Sequence, residues 1–133
     1  MSEPDDVPVS LVLDRTALLA FAAGSMHAAE PVGQVNENGS RYGVPVPALV
    51  EARAVVPGAE RVALDWLITQ PGCVVLTTWG EDWEELSYWQ GLTGRYDAAA
   101  ALVAAFEHRC YILASDMKAF PPREGLPVIY FPA

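Results

Sequence analysis

Short apolar runs alternate with helix-favouring segments along the chain, and this alternation constrains the fold more than any other sequence feature. Val7-Pro8-Val9-Ser10-Leu11-Val12-Leu13 is continuously hydrophobic and ends at Asp14, the signature of a buried parallel strand. Thr16 to Ala23 favours helix and stops at Gly24. A weaker helix is expected over Val32 to Asn38, before Gly39. Val44-Pro45-Val46-Pro47 reads as a short extended segment, because each proline removes a ladder donor. Helix resumes from Ala48 to Val55 and again from Ala59 to Gln70, where Val62, Trp66 and Leu67, with Ala63, fall on one face as an apolar stripe. Cys73 to Thr77 is the next strand, followed by an amphipathic helix from Glu81 to Leu92. An alanine-rich helix opens at Tyr96-Asp97, with Asp97 at its cap or in its first turn, and runs to about His108. Tyr111 to Ala114 is a strand, Pro121-Pro122 a turn, and Pro127 to Phe131 the last strand. With no repeat or linker, residues 1–133 form one domain. The expected architecture is a three-layer α/β/α fold around a central, mostly parallel sheet of four to five strands.

Composition removes several alternatives. A chain of 133 residues that is 52% hydrophobic can enclose a core and is not intrinsically disordered. No apolar run is long enough for a membrane span. Met1-Ser2-Glu3-Pro4-Asp5-Asp6 is acidic rather than basic and greasy, and Cys73 and Cys110 lie outside any CxxC or Cys/His cluster. A cytoplasmic protein with reduced thiols is expected. Seventeen acids against eight bases give a net charge of −9, so the chain as a whole repels phosphate. Action on a nucleic acid would need a divalent cation to invert the local field; otherwise the acidic surface suits a basic partner.

The acids occupy telling positions. Parallel α/β sheets place their sites beyond the carboxyl ends of the strands. Asp14 directly follows the first strand and Asp116 the fourth; Glu51 lies one turn into a helix and Asp97 opens another. If the first and fourth strands are neighbours, the four carboxylates share one cleft. Taken singly, each reads as a cap or a surface acid. Together they would repel one another unless a hard cation were present, and oxygen donors without imidazole or thiolate point to Mg²⁺ or Mn²⁺ rather than zinc.

The stretches Leu11-Val12-Leu13-Asp14-Arg15-Thr16, Val46-Pro47-Ala48-Leu49-Val50-Glu51-Ala52, Tyr96-Asp97-Ala98-Ala99-Ala100 and Tyr111-Ile112-Leu113-Ala114-Ser115-Asp116 resemble, in order and interval, the motifs of the PIN-domain family, especially its VapC-like toxins. The resemblance implies a Mg²⁺- or Mn²⁺-dependent endoribonuclease, the toxin of a type II toxin–antitoxin pair, with Asp14, Glu51, Asp97 and Asp116 as the catalytic and metal-binding quartet. Thr16 and Ser115 would be supporting hydroxyls, although the family's second hydroxyl often lies two residues before the Asp, where this chain has Ala114. It also implies a homodimer and a small antitoxin partner. Two other readings stand beside this one: a non-catalytic PIN-fold interaction module, and a PIN nuclease of RNA processing without an antitoxin.

Arg15, Arg53, Arg95 and Lys118 are the bases near these motifs; they would contact an RNA backbone or be ordinary paired surface residues. Trp66, Trp79, Trp83, Tyr88 and Trp89 are dense in sequence, and the spacing from Trp83 to Trp89 suits core or interface packing better than base stacking. His27 and His108 read as surface residues, and Glu81-Asp82-Glu84-Glu85 as a solvated helix start.

Overall fold

The computed structural model describes residues 7–120 and 125–132. Strands β1 (Val9–Leu13), β2 (Arg41–Pro45), β3 (Cys73–Leu76), β4 (Tyr111–Ala114) and β5 (Val128–Tyr130) alternate with helices α1 (Arg15–Ala22), α2 (Met26–Glu37), α3 (Val46–Val55), α4 (Gly58–Thr69), α5 (Trp83–Thr93) and α6 (Tyr96–His108). All strand pairings are parallel, in the order β3-β2-β1-β4-β5. The expected α/β/α architecture is observed, and the Pro121-Pro122 turn lies outside the described residues.

The strand order fixes where a site can form. From β1 the chain winds outward through β2 to β3, then returns to the other side of β1 to lay down β4 and β5. The winding therefore reverses between β1 and β4, where α1 after β1 and α6 before β4 cover opposite faces of the sheet, opening a crevice at the carboxyl edge. Leu11 pairs with Tyr111, Val12 with Ile112 and Leu13 with Leu113. The ladder extends one residue further, the Asp14 amide donating to the Leu113 carbonyl at 3.3 Å, so Asp14 leaves the sheet at the level where β4 ends.

The two sheet faces bury different chemistry. On one face Leu11, Leu13, Tyr42, Val44 and Leu113 pack with residues of α1 to α4. On the other, Val9, Val12, Ile112 and Ala114 meet Ala98, Ala101, Leu102 and Ala105 of α6. Short alanine side chains let α6 lie close to the sheet, and α5 then covers its outer side through Leu86 and Trp89. Gly43, inside β2, lies in a tight spot: a Cβ there would come within 2.5 Å of Leu76 Cδ1 and 3.1 Å of Val9 Cγ1, so the Leu76 side chain would have to shift.

Several local expectations are corrected. The second helix begins at Met26, not Val32, and carries Pro31 within it; a proline at that point reads as a helix break. The extended segment after it is β2, starting at Arg41 rather than Val44, and its proline comes only at the last residue. In α4 the buried residues are Leu64 and Leu67, while Val62 and Trp66 face solvent. Trp66 instead stacks on Phe21, ring centroids 6.3 Å apart. Of the later tryptophans, Trp89 packs against Phe106 and the α5–α6 core, whereas Trp79 and Trp83 are exposed. His27 and His108 are exposed, as is most of the Glu81–Glu85 run. Both cysteines are free thiols, and burial pushes each up to about 11. Among the described residues no helix is long and apolar enough to cross a membrane.

Candidate active site

Asp14 and Asp97 are the two fully buried charged residues among those described, and they meet at the crevice. Asp14 is the N-cap of α1. Its Oδ1 accepts from the Ala17 amide at 2.9 Å and from Thr16 Oγ1 at 2.6 Å, satisfying an otherwise unpaired helix donor. Thr16 Oγ1 in turn accepts from the Ser115 amide at 2.9 Å, tying the start of α1 to the end of β4. Ser115 thus joins the site through its backbone. Asp97 lies in the first turn of α6, whose N-cap is Arg95. Its Oδ2 accepts from the Arg15 backbone amide at 3.0 Å.

The Arg95 guanidinium stands between these acids and Asp116. It donates to Asp97 from Nε at 2.9 Å and from Nη2 at 2.6 Å, a bidentate fork. Nη2 lies 3.5 Å from Asp14 Oδ2, and Nη1 lies 3.4 Å from Asp116 Oδ2. Three carboxylates from positions 14, 97 and 116 therefore surround one cation. Asp14 and Asp97 have no exposed side-chain surface, whereas the Asp116 side chain is 43% exposed. The outer Asp116 oxygen, Oδ1, accepts from the Lys118 amide at 3.0 Å; the Lys118 side chain is exposed.

Electrostatics separates the two buried aspartates. Burial raises the Asp14 pKa, and the Thr16 and Ala17 hydrogen bonds and the Arg95 charge only partly counter it. Burial acts the same way on Asp97. There the Arg95 fork and charge, with the Arg15 amide, outweigh it and hold the carboxyl below its usual range. Arg95 shows the complement: burial works against its charge, and the three aspartates more than restore it.

Glu51 does not join the cluster directly. It accepts from Arg15 Nη1 at 2.7 Å, on the side where the Arg15 amide meets Asp97. A shallow groove lined by Val50, Glu51, Thr77, Thr78 and Tyr96 leads from there along the carboxyl edge. Arg53 lies away from the crevice, forked onto Asp65 at 2.8 and 3.0 Å on the exposed surface of α3 and α4. Tyr130, at the end of β5, is a neighbour that the sequence reading passed over: burial, then the charges of Asp14 and Asp116, raise its phenol pKa. Its place at a strand's carboxyl end, level with Ala114, was the available signal.

The donor set is oxygen only, as a hard cation requires. Yet among the described residues no three acidic, His or Cys side chains stand closely enough to form a ready cation cage. The spacing of the aspartates is that of groups arranged around a guanidinium. No protein-family model and no curated protein matches the chain.

Proposed function

We propose that this chain is a Mg²⁺- or Mn²⁺-dependent endoribonuclease of PIN type that hydrolyses RNA phosphodiester bonds. The observation that carries this reading is the meeting of Asp14, Asp97 and Asp116, from three distant stretches of chain, at the crevice between β1 and β4. Structural acids seldom cluster, because like charges destabilise one another; sites that handle phosphates through a cation gather them.

Each residue has a distinct role in this proposal. Asp14 is anchored by its capping contacts and Asp97 by the Arg15 amide, so both are oxygen donors placed by rigid elements. Asp116 is the accessible donor, open to solvent and substrate. Thr16 holds the Asp14 carboxylate in one orientation. Glu51 and Arg15 border the entrance, and the groove by Tyr96 offers a bed for the strand flanking the scissile bond. A bound Mg²⁺ or Mn²⁺ would lower the pKa of a water and offset charge on the leaving oxygen. Expected activity is cleavage of single-stranded RNA by the purified chain in Mn²⁺ or Mg²⁺, lost in EDTA. Asp116→Asn should abolish cleavage with little change in melting temperature, because its carboxylate is half-exposed. A folded wild type that leaves RNA intact in Mn²⁺ defeats the proposal.

A toxin role adds a partner. It predicts that expression arrests growth and that a small co-transcribed antitoxin relieves the arrest; cleavage without such a partner assigns the chain to RNA processing instead. A non-catalytic interaction module is favoured by one observation, that Arg95 pairs with all three aspartates. Exposed Trp66, Trp79 and Trp83 would then serve as contacts for a partner or for a second copy in a homodimer.

A further inference from the structure

We infer that Arg95 is the resident counter-ion of the aspartate cluster, which a divalent cation must displace, so that this side chain sets the metal affinity of the site. The inference rests on the cation-dependent reading above. Four contacts run from one guanidinium to Asp14, Asp97 and Asp116, all between 2.6 and 3.5 Å. The Arg95 side chain is only 14% exposed, so these interactions are largely shielded from water and salt. The same oxygens, Asp14 Oδ2, Asp97 Oδ2 and Asp116 Oδ2, face the guanidinium and are the ones available to a metal.

A small divalent ion needs its oxygens at about 2.0–2.1 Å. Guanidinium nitrogens stand farther off, so the two occupants demand different spacings and cannot share the centre. Binding of the metal therefore has three parts: Arg95 leaves, the carboxylates draw together, and the guanidinium turns toward solvent. Arg95 can make that movement, because its backbone is the extended cap of α6 and lies outside the helical turns. Asp97 keeps its Arg15 amide donor meanwhile, and Asp14 keeps Thr16 and Ala17. The cluster thus remains assembled while its cation changes.

The test is Mn²⁺ binding to the full chain without RNA, read from loss of the free-ion electron paramagnetic resonance signal. Arg95→Met removes the charge and keeps the length; Arg95→Lys keeps the charge and loses the fork. Arg95→Met should bind Mn²⁺ about tenfold or more tightly than wild type, with Arg95→Lys between them. That graded order, loss of the fork loosening the counter-ion and loss of the charge removing it, is one a merely structural role would not produce. Equal or weaker binding by a folded Arg95→Met overturns the inference while leaving the cation site standing. Absence of Mn²⁺ binding in wild type and variants alike overturns the metal-dependent reading, and this inference with it. If Arg95→Met does not fold, Arg95→Lys decides alone: tighter than wild type supports displacement, equal or weaker overturns it.

Discussion

Two arginines in this molecule grip aspartate through the same fork, and burial gives them different weight. Arg53 holds Asp65 across α3 and α4 with both side chains about half-exposed. Arg95 holds Asp97 with the carboxylate fully buried and two further acids in reach. At the surface, water and salt stand ready to replace either partner, and the pair adds little to the fold. In the crevice no such replacement exists, so each charge depends on the others. An ion pair seen in a structure therefore says little until its surroundings are known.

That contrast can be broken or sharpened by substitution. The largest effect is expected from Asp97→Asn, which takes one partner from a buried pair and should lower unfolding free energy by about 2–4 kcal/mol in chemical denaturation. Asp14→Asn should act with the opposite sign. Burial outweighs the stabilising contacts of Asp14, and an amide oxygen can still accept from Thr16 and Ala17. A gain of about 0.5–2 kcal/mol in the metal-free protein is expected, together with loss of cleavage. A loss of stability there would mean that Arg95 relies on Asp14 more than the distances suggest.

Acidity separates the same two residues. Asp97, held low, contributes stability above the ordinary value of 3.8 that is lost as pH falls through its lowered folded pKa. Asp14 does the reverse. The unfolded chain releases that proton near pH 3.8 while the native protein retains it, so stability falls as pH climbs through the raised folded pKa. The advantage of Asp14→Asn over wild type should therefore be absent at the acid end and grow as pH rises, measured by urea titration across pH 3 to 7. The smallest effect belongs to Arg53→Ala, which should leave the melting temperature unchanged. A clear drop would erase the distinction between the two forks.

The sheet and the places of its acids were legible because strands announce themselves by short apolar runs, and Asp14 and Asp116 each follow such a run. What lay hidden depends on contacts across the fold. Arg95 looked like any base near a motif; only the closeness of β1, β4 and α6 puts its side chain among three acids. Glu51 matched by position along the chain, yet its partner is Arg15. The outward turn of Val62 and Trp66 was invisible for a related reason: an apolar stripe does not say which of two rows a neighbouring helix covers, and Leu64 with Leu67 took that place. Tyr130 lies in a strand the sequence announces, but only the pairing of β5 with β4 sets it beside Asp14 and Asp116, and that pairing has no local signal.

The alanines at 98, 101, 104 and 105 act as a shim whose thickness sets where the first turn of α6 comes to rest. A bulkier residue at Ala101 would tilt the helix like a lever and carry Asp97 off its arginine, without touching any acid. Variation in this run of methyl groups can disable the crevice while every motif stays intact on paper, so a chain of this kind is to be judged by its spacers as well as by its aspartates.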